Sequence, residues 1–201
     1  MASKGLHNFP RYLAGGGAMA CSLYFLIIQR ADLAVVAASL YFLLACAIDT
    51  LQARIPNLLN LLLIIAGVTI NTVATGLSGL SGSLAGLLLG IGLLLLPYLM
   101  GGFGAGDVKA LGALGALLGP KPLLHVFVYM AFCGGIMALL HYIFNASLKQ
   151  KSREWLACAK ASALLGDPRL LKPEKTEALR FPYAAAIAFG YYSYLTWGGV
   201  L

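Results

Sequence analysis

The sequence predicts an all-α fold, a polytopic bundle of six to seven transmembrane helices. Hydrophobic residues make up 60% of its 201 residues and charged residues only 10%. The apolar residues are also gathered in runs long enough to cross a bilayer, since about 30 Å of hydrocarbon takes about 20 helical residues. A soluble domain of this size has no use for so much apolar surface.

Seven apolar runs define the predicted helices, near residues 12–29, 33–50, 58–75, 83–100, 107–119, 122–144 and 182–200. The fifth run is short, so it is either half-buried or continuous with a neighbour, and the count is six or seven. We expect residues 1–201 to form a single membrane-embedded domain, with no soluble domain before or after it and one hydrophilic loop at about 145–180.

The basic residues predict how the bundle is oriented. Short cytoplasmic loops carry an excess of Lys and Arg. With the N-terminus in the cytoplasm, twelve of the 14 basic residues fall on the inside and only Arg30 and Lys121 fall outside. This asymmetry explains most of the net charge of +7, so nucleic acid is not expected as a partner.

Two aspartates stand at the predicted cytoplasmic ends of separate helices, Asp49 in "CAIDTLQARIPN" and Asp107 in "GGFGAGDVKALGALG". An aspartate inside a spanning helix costs about 2.5–3.5 kcal/mol at the centre and less near the interface. Each one could simply mark a hydrated helix end. Alternatively, the two face each other in a wet cavity and share one proton, as in aspartyl peptide hydrolysis, where one carboxylate activates water and the other polarises the carbonyl.

The glycines suggest two different uses. Gly104 and Gly106 are expected to give the backbone before Asp107 conformations closed to other residues and to let an unwound substrate approach. A second set has helical spacing and is expected to form packing faces: Gly82, Gly86, Gly90, Gly115 and Gly119.

Metal and disulfide chemistry are not indicated. The four cysteines are scattered singly without a C-x-x-C pair, which favours a packing role. The mechanism above needs none of the three histidines. We therefore expect no cofactor and no metal.

Three segments carry a family resemblance. "FGAGDVK", from Phe103 to Lys109, resembles the G-x-G-D signature of intramembrane aspartyl proteases and the F-G-x-G-D-x-K form of type IV prepilin peptidases. Asp49 followed by "RIPN" at 54–57, and "RFPYAAAIAFG" at 180–190, resemble motifs of the short Flp-pilus (tight-adherence) branch of these enzymes.

The resemblance implies a membrane endopeptidase that removes the short basic leader of prepilins at the cytoplasmic face of the bacterial inner membrane. Asp49 and Asp107 would be the catalytic pair, and Gly104 and Gly106 the motif glycines. The partners would be a prepilin substrate, membrane lipids and the pilus or secretion machinery. Related archaeal preflagellin peptidases use aspartates in the same way, but the R-I-P-N context favours a pilin as the substrate.

The sequence departs from the family pattern in three places. Bifunctional prepilin peptidases add a segment with paired C-x-x-C motifs linked to N-methylation; this chain has no such motif, which predicts cleavage without methylation. Residues 50–52 are Thr-Leu-Gln where the short branch has a further basic residue, and "PYAAAI" replaces "PYGPAI". These last two changes affect substrate fit and leave both carboxylates in place.

Four further residues near the aspartates are candidates for positioning the substrate: Arg54, Pro56, Asn57 and Lys109. Arg54 is also explained as a loop anchor on the positive side, with Pro56 opening the next helix. Lys109 is two residues from Asp107 and so points to a different side of a helix, where it could bind a lipid phosphate or reach the aspartates. The segment 145–180 could lie on an anionic membrane surface or grip a pilin or another secretion component.

Two functions from other classes remain open. Paired carboxylates also serve proton-coupled transporters, which place them near the bilayer midplane and often show inverted repeats. A non-catalytic assembly scaffold of the same fold would keep the motifs without the chemistry.

Overall fold

A computed structural model describes residues 2–52, 54–100, 102–144 and 183–200, with side chains for all of these except residues 2–10 and 141–144. The predicted hydrophilic loop at 145–180, Cys158 and the first part of the "RFPY" segment lie outside these residues.

The described chain is all-helical, which confirms the predicted fold class. Its seven helices are α1 (Ala2–Ile28), α2 (Leu33–Gln52), α3 (Asn57–Thr75), α4 (Leu77–Leu99), α5 (Ala105–Leu118), α6 (Pro120–Phe144) and α7 (Tyr183–Trp197). All except α5 and α7 are long and apolar enough to cross a membrane.

Helix α5 is short because it lies inside the bundle. Its 14 residues span roughly 21 Å at about 1.5 Å per residue, less than the hydrocarbon thickness. Nearly every residue from Asp107 to Leu117 is buried, and α5 packs mainly against α3 and α4. Its alanines and glycines present apolar surface on every side, as a helix surrounded by other helices requires.

Glycine contacts bring α4 and α5 together. A Cβ added at Gly86 would overlap the carbonyl oxygen of Gly115, and one at Gly90 would lie 2.6 Å from the carbonyl oxygen of Leu111. The predicted packing face is therefore confirmed at Gly86, Gly90 and Gly115.

The same prediction is wrong at two glycines. A Cβ at Gly82 would meet no atom within 4 Å, because Gly82 lies one turn before Gly86, which already meets the end of α5 at Gly115 and Gly119. Gly119 is likewise open, but its φ of 80° is a left-handed conformation at the end of α5, which explains why glycine is needed there.

A half-buried asparagine, Asn71, closes the other end of α5. Asn71 Nδ2 lies 3.2 Å from the carbonyl oxygen of Ala116, 3.0 Å from that of Leu117 and 2.9 Å from Ser83 Oγ. The last carbonyls of a helix have no partner within the helix, and hydrocarbon supplies none. The side chain of Asn71 therefore lets α5 end inside the bundle.

The remaining helices form two further pairs, α1 with α2 and α6 with α7, and α7 also contacts α1 and α2. As the chain runs up and down, one end of the bundle collects the end of α2, the starts of α3, α5 and α7, and the end of α4. We call this the aspartate end, because it contains Asp49 and Asp107.

The α4–α5 contact predicts different outcomes for two matched substitutions. Gly86→Ala should destabilise the protein, because its methyl group meets the backbone of α5 and overpacking costs about 1–3 kcal/mol. Gly82→Ala should leave stability unchanged or slightly higher, since the same methyl group meets open space. Thermal unfolding in detergent micelles measures both, and equal melting temperatures would contradict the packing described here.

Candidate active site

Asp49 lies in the last turn of α2 and is buried, with 7% of its surface exposed. The backbone N–H of Ala184, at the start of α7, lies close enough to its carboxylate to interact with its charge. The Oδ2 atom is buried and has no hydrogen-bond partner among the described residues. Since a buried carboxylate oxygen without a partner is costly, this atom is the natural place for a water molecule or a substrate group to bind.

Asp107 is the third residue of α5 and is equally buried, with 8% exposed. Its Oδ2 accepts a hydrogen bond from the N–H of Gly104, the N-cap residue, at 3.0 Å. An acidic side chain in this position satisfies one of the free N–H groups of the first turn and interacts favourably with the helix dipole. Local structure alone therefore explains why the chain tolerates a buried aspartate there.

The structure brings the two carboxyl groups together. Helices α2 and α5 are in contact, and the charge of Asp49 acts directly on Asp107. Two like charges in a buried site cannot both form easily, so sharing one proton is the favourable arrangement. The two aspartates predicted to lie at one depth thus share one site at the aspartate end.

The two motif glycines have ordinary backbone conformations, so the expectation of conformations closed to other residues is wrong. Gly104 has φ −85° and ψ 151°, and Gly106 is part of α5. Their small size matters in a different way: a Cβ at Gly104 would lie 3.1 Å from Asp107 Oδ2, and one at Gly106 would lie 3.5 Å from Ile55. Because Gly104 is exposed, the approach to Asp107 along the backbone stays open.

The other four candidates lie on the link from α2 to α3 and on α5. Pro56 is the N-cap residue of α3, one position before the helix begins. Lys109 is exposed, and its Nζ donates a hydrogen bond to Asn57 Oδ1 at 3.0 Å, so it ties α5 to the start of α3. Arg54 is exposed. These residues border the site, and the described contacts place Lys109 on Asn57 rather than on Asp107.

Tyr183 holds the glycine-rich segment before Asp107. Its hydroxyl donates to the carbonyl oxygen of Gly102 at 2.7 Å, and its ring packs on Phe103 with centroids 4.4 Å apart. The start of α7 therefore contacts both halves of the site, through Tyr183 on one side and Ala184 on the other.

Comparison with known protein families assigns the chain to one of them. A profile of the type IV leader peptidase family matches residues 35–139, which include both aspartates and just over half of the chain. The chain belongs to the type IV leader peptidase family. Searches of curated proteins and of solved structures found no significant match.

Sequence reasoning missed two buried polar residues of this leader peptidase. Tyr41 donates a hydrogen bond to Asn60 Oδ1 at 2.7 Å, and Asn60 Nδ2 lies 3.5 Å from the carbonyl oxygen of Gly106. The Tyr41 hydroxyl also lies close enough to both aspartates to interact with their charges. A signal was present, since polar side chains within membrane helices are rare and usually functional.

The site of the peptidase contains the groups that aspartyl hydrolysis needs, namely two neighbouring carboxyl groups and a free carboxylate oxygen. Within the described ranges, no group of three or more His, Cys, Asp or Glu side chains could hold a metal ion.

The contact between Tyr183 and Gly102 predicts a loss of activity without a loss of fold. Tyr183→Phe removes the hydrogen bond but keeps the ring on Phe103, so the segment before Asp107 should shift and the rate of leader peptide cleavage should fall by about tenfold or more. Tyr129→Phe is the matched control, because Tyr129 donates to the carbonyl of Gly198 at the opposite end of the bundle. Cleavage of a leader-bearing precursor, normalised to protein amount, measures both, and equal effects would contradict a role in the site.

Proposed function

We propose that this protein is an intramembrane aspartyl endopeptidase that removes the short basic leader of Flp-type prepilins at the cytoplasmic face of the membrane, without N-methylation. One observation carries the proposal: Asp49 and Asp107, from separate helices, lie close enough for their charges to interact in a buried site with an unpartnered oxygen. Membership of the leader peptidase family gives this pair a reaction class.

Peptide hydrolysis by the pair proceeds in two balanced steps. The oxygen of a water molecule bonds to the peptide carbonyl carbon and gives a proton to one carboxylate, while the carbonyl oxygen takes the proton of the other carboxyl group. The resulting gem-diol then breaks its C–N bond, whose electron pair goes to nitrogen. Nitrogen takes the proton from the first aspartate, and a gem-diol hydroxyl returns one to the second, so both carboxyl groups recover their starting forms.

The position of the site supports cleavage at the start of a membrane helix. Both aspartates lie at one end of the bundle, beside the exposed residues Arg54 and Gly104. A precursor whose basic leader stays in water and whose apolar helix lies in the bilayer presents its boundary at this depth. A proton-coupled transporter would instead place its carboxylates near the midplane.

The described cysteines support the absence of methylation. Cys21, Cys46 and Cys133 are free and lie on three different helices, and the sequence has no C-x-x-C pair. The Flp-type substrate is inferred from the "RIPN" segment after Asp49, whose Ile55 lies beside Gly106 and would be 3.5 Å from a Cβ added there.

The central test is the conversion of each aspartate to its amide. Asp49→Asn and Asp107→Asn should each abolish the mature band of a co-expressed Flp-type prepilin, because neither asparagine can accept or donate the required proton. Asp32→Asn is the control, since Asp32 caps α2 at the opposite end of the bundle through a 2.8 Å bond from the Ala34 N–H, which asparagine can also accept. Full processing by either site variant, at normal abundance in the membrane, would refute the aspartyl mechanism.

The absence of methylation has a direct readout. The mature pilin released by this protein should carry an unmodified amino terminus, because the chain lacks paired C-x-x-C motifs. Mass spectrometry of the product, from cells supplied with no other prepilin peptidase, gives the answer. A bifunctional prepilin peptidase expressed with the same substrate is the positive control, and a methylated product from this chain would disprove the proposal.

A further inference from the structure

A basic residue of α1, outside the region that matches the family, contacts the end of α2 that contains Asp49. A guanidinium nitrogen of Arg11 donates a hydrogen bond to the backbone carbonyl of Asp49, and the positive charge of Arg11 also acts on the Asp49 carboxylate. Arg11 lies 38 residues before Asp49 and is partly buried. The family match begins at residue 35 and therefore does not include it.

A carboxylate at the position of Asp49 needs such a partner. Asp49 lies in the last turn of α2, where the free carbonyl groups give the helix end a partial negative charge. A second negative charge there is unfavourable, and Asp107 adds a third nearby. Arg11 offsets this by binding one of the last carbonyls of α2 and by placing a positive charge beside the carboxylate.

Close packing of α1 on α2 holds Arg11 in place. Gly15 is four residues after Arg11 on the same face of α1, and a Cβ added there would overlap the hydroxyl oxygen of Thr50. Ala14 and Ala18 are buried beside it. Small residues thus bring the backbone of α1 against the end of α2 at Thr50, the residue that follows Asp49.

The surroundings of Asp49 differ from those of Asp107. The groups that act on Asp49 are Arg11 from α1 and the Ala184 N–H from α7, and its charge interacts with that of Asp107 from α5 and with the neighbouring Tyr41 and Cys46 of α2. Asp107 accepts the Gly104 N–H and interacts with the charge of Asp49, and its own charge acts on Tyr41 and Tyr183, but no basic side chain is among these groups. Its nearest basic neighbour in sequence, Lys109, donates to Asn57 instead.

We propose that Arg11 is a positioning residue of the active site, which holds the end of α2 and balances the charge of Asp49 so that its carboxylate faces Asp107. This role deepens the function proposed above and rests on it. It also makes α1 a part of the peptidase site, although the family match does not extend to that helix.

A double-mutant cycle on stability tests the contact without any substrate. Arg11→Gln keeps a hydrogen-bond donor and removes the charge, so it should lower the melting temperature by several degrees when Asp49 is present and by clearly less in an Asp49→Asn background. Arg30→Gln makes the same chemical change at the opposite end of the bundle and should have the same small effect in both backgrounds. Equal losses for Arg11→Gln in both backgrounds would overturn the proposal, whatever the protein's substrate.

Kinetics on a purified Flp-type prepilin give the second test. Arg11→Gln should lower kcat by roughly 10- to 100-fold with little change in KM, because a displaced carboxylate slows the chemical step. Arg11→Lys, which keeps the charge and a donor, should recover most of kcat. A change in KM alone would overturn the proposal by making Arg11 a substrate-binding residue, and so would unchanged kinetics.

If the Arg11→Gln protein does not accumulate in the membrane, a double variant serves as the control. The uncompensated charge of Asp49 would then be the cause, and the Arg11→Gln/Asp49→Asn double variant should accumulate normally. Failure of both variants would contradict the proposal. If the wild type does not cleave the prepilin, the proposed function fails while the stability cycle still decides the role of Arg11.

Discussion

The structure depends on burying a helix that is too short to cross the membrane. In hydrocarbon, every backbone N–H and C=O group needs a partner within the protein. Helix α5 meets this requirement at both ends: Gly104 and Asp107 form the cap at its start, and Asn71 binds the carbonyls of Ala116 and Leu117 at its end. The carboxyl group of Asp107 is therefore also a structural group, and it belongs to a helix that is buried along most of its length.

Helix polarity makes the two aspartates unequal. Asp107 stands at a helix start, where the dipole and the free N–H groups favour a negative charge, whereas Asp49 stands at a helix end, where they oppose it. The protein compensates at Asp49 with groups from outside α2, the guanidinium of Arg11 and the N–H of Ala184. Two neighbouring carboxyl groups are thus held by different means, one by its own helix and the other by tertiary contacts.

Much of the fold follows from apolar runs, because membrane helices are read directly from their length and hydropathy. The apolar run predicted at 33–50 corresponds to helix Leu33–Gln52, and the run predicted at 58–75 corresponds to helix Asn57–Thr75. The pairing of Asp49 with Asp107 was also accessible, since orientation by positive charge gave both residues one depth. The contacts of Arg11, Asn60 and Tyr183 were not, because each joins helices far apart in sequence and no local pattern records such a partner.

The glycines show the same division between local pattern and tertiary contact. A spacing of four residues identified the packing face of α4 but not which of its members touches α5, because that depends on how far α5 extends along α4. Gly86 and Gly90 meet the α5 backbone while Gly82 meets open space. At Gly104 the reason for glycine is also different from the expected one, since its φ of −85° suits any residue and the nearby Asp107 carboxylate limits the space.

The contact between Ala184 and Asp49 bears on the order in which the site is built. Membrane chains are made from the N-terminus onward, so α1 and α2 are available to each other early, and Arg11 can meet Asp49 before α5 exists. Helix α7 is synthesised more than 130 residues after Asp49, and only then does the N–H of Ala184 reach Asp49 and Tyr183 reach the segment before Asp107. A partly made chain that ends before α7 therefore holds both aspartates without the N–H of Ala184 beside Asp49 and without the hydroxyl of Tyr183 on the segment before Asp107.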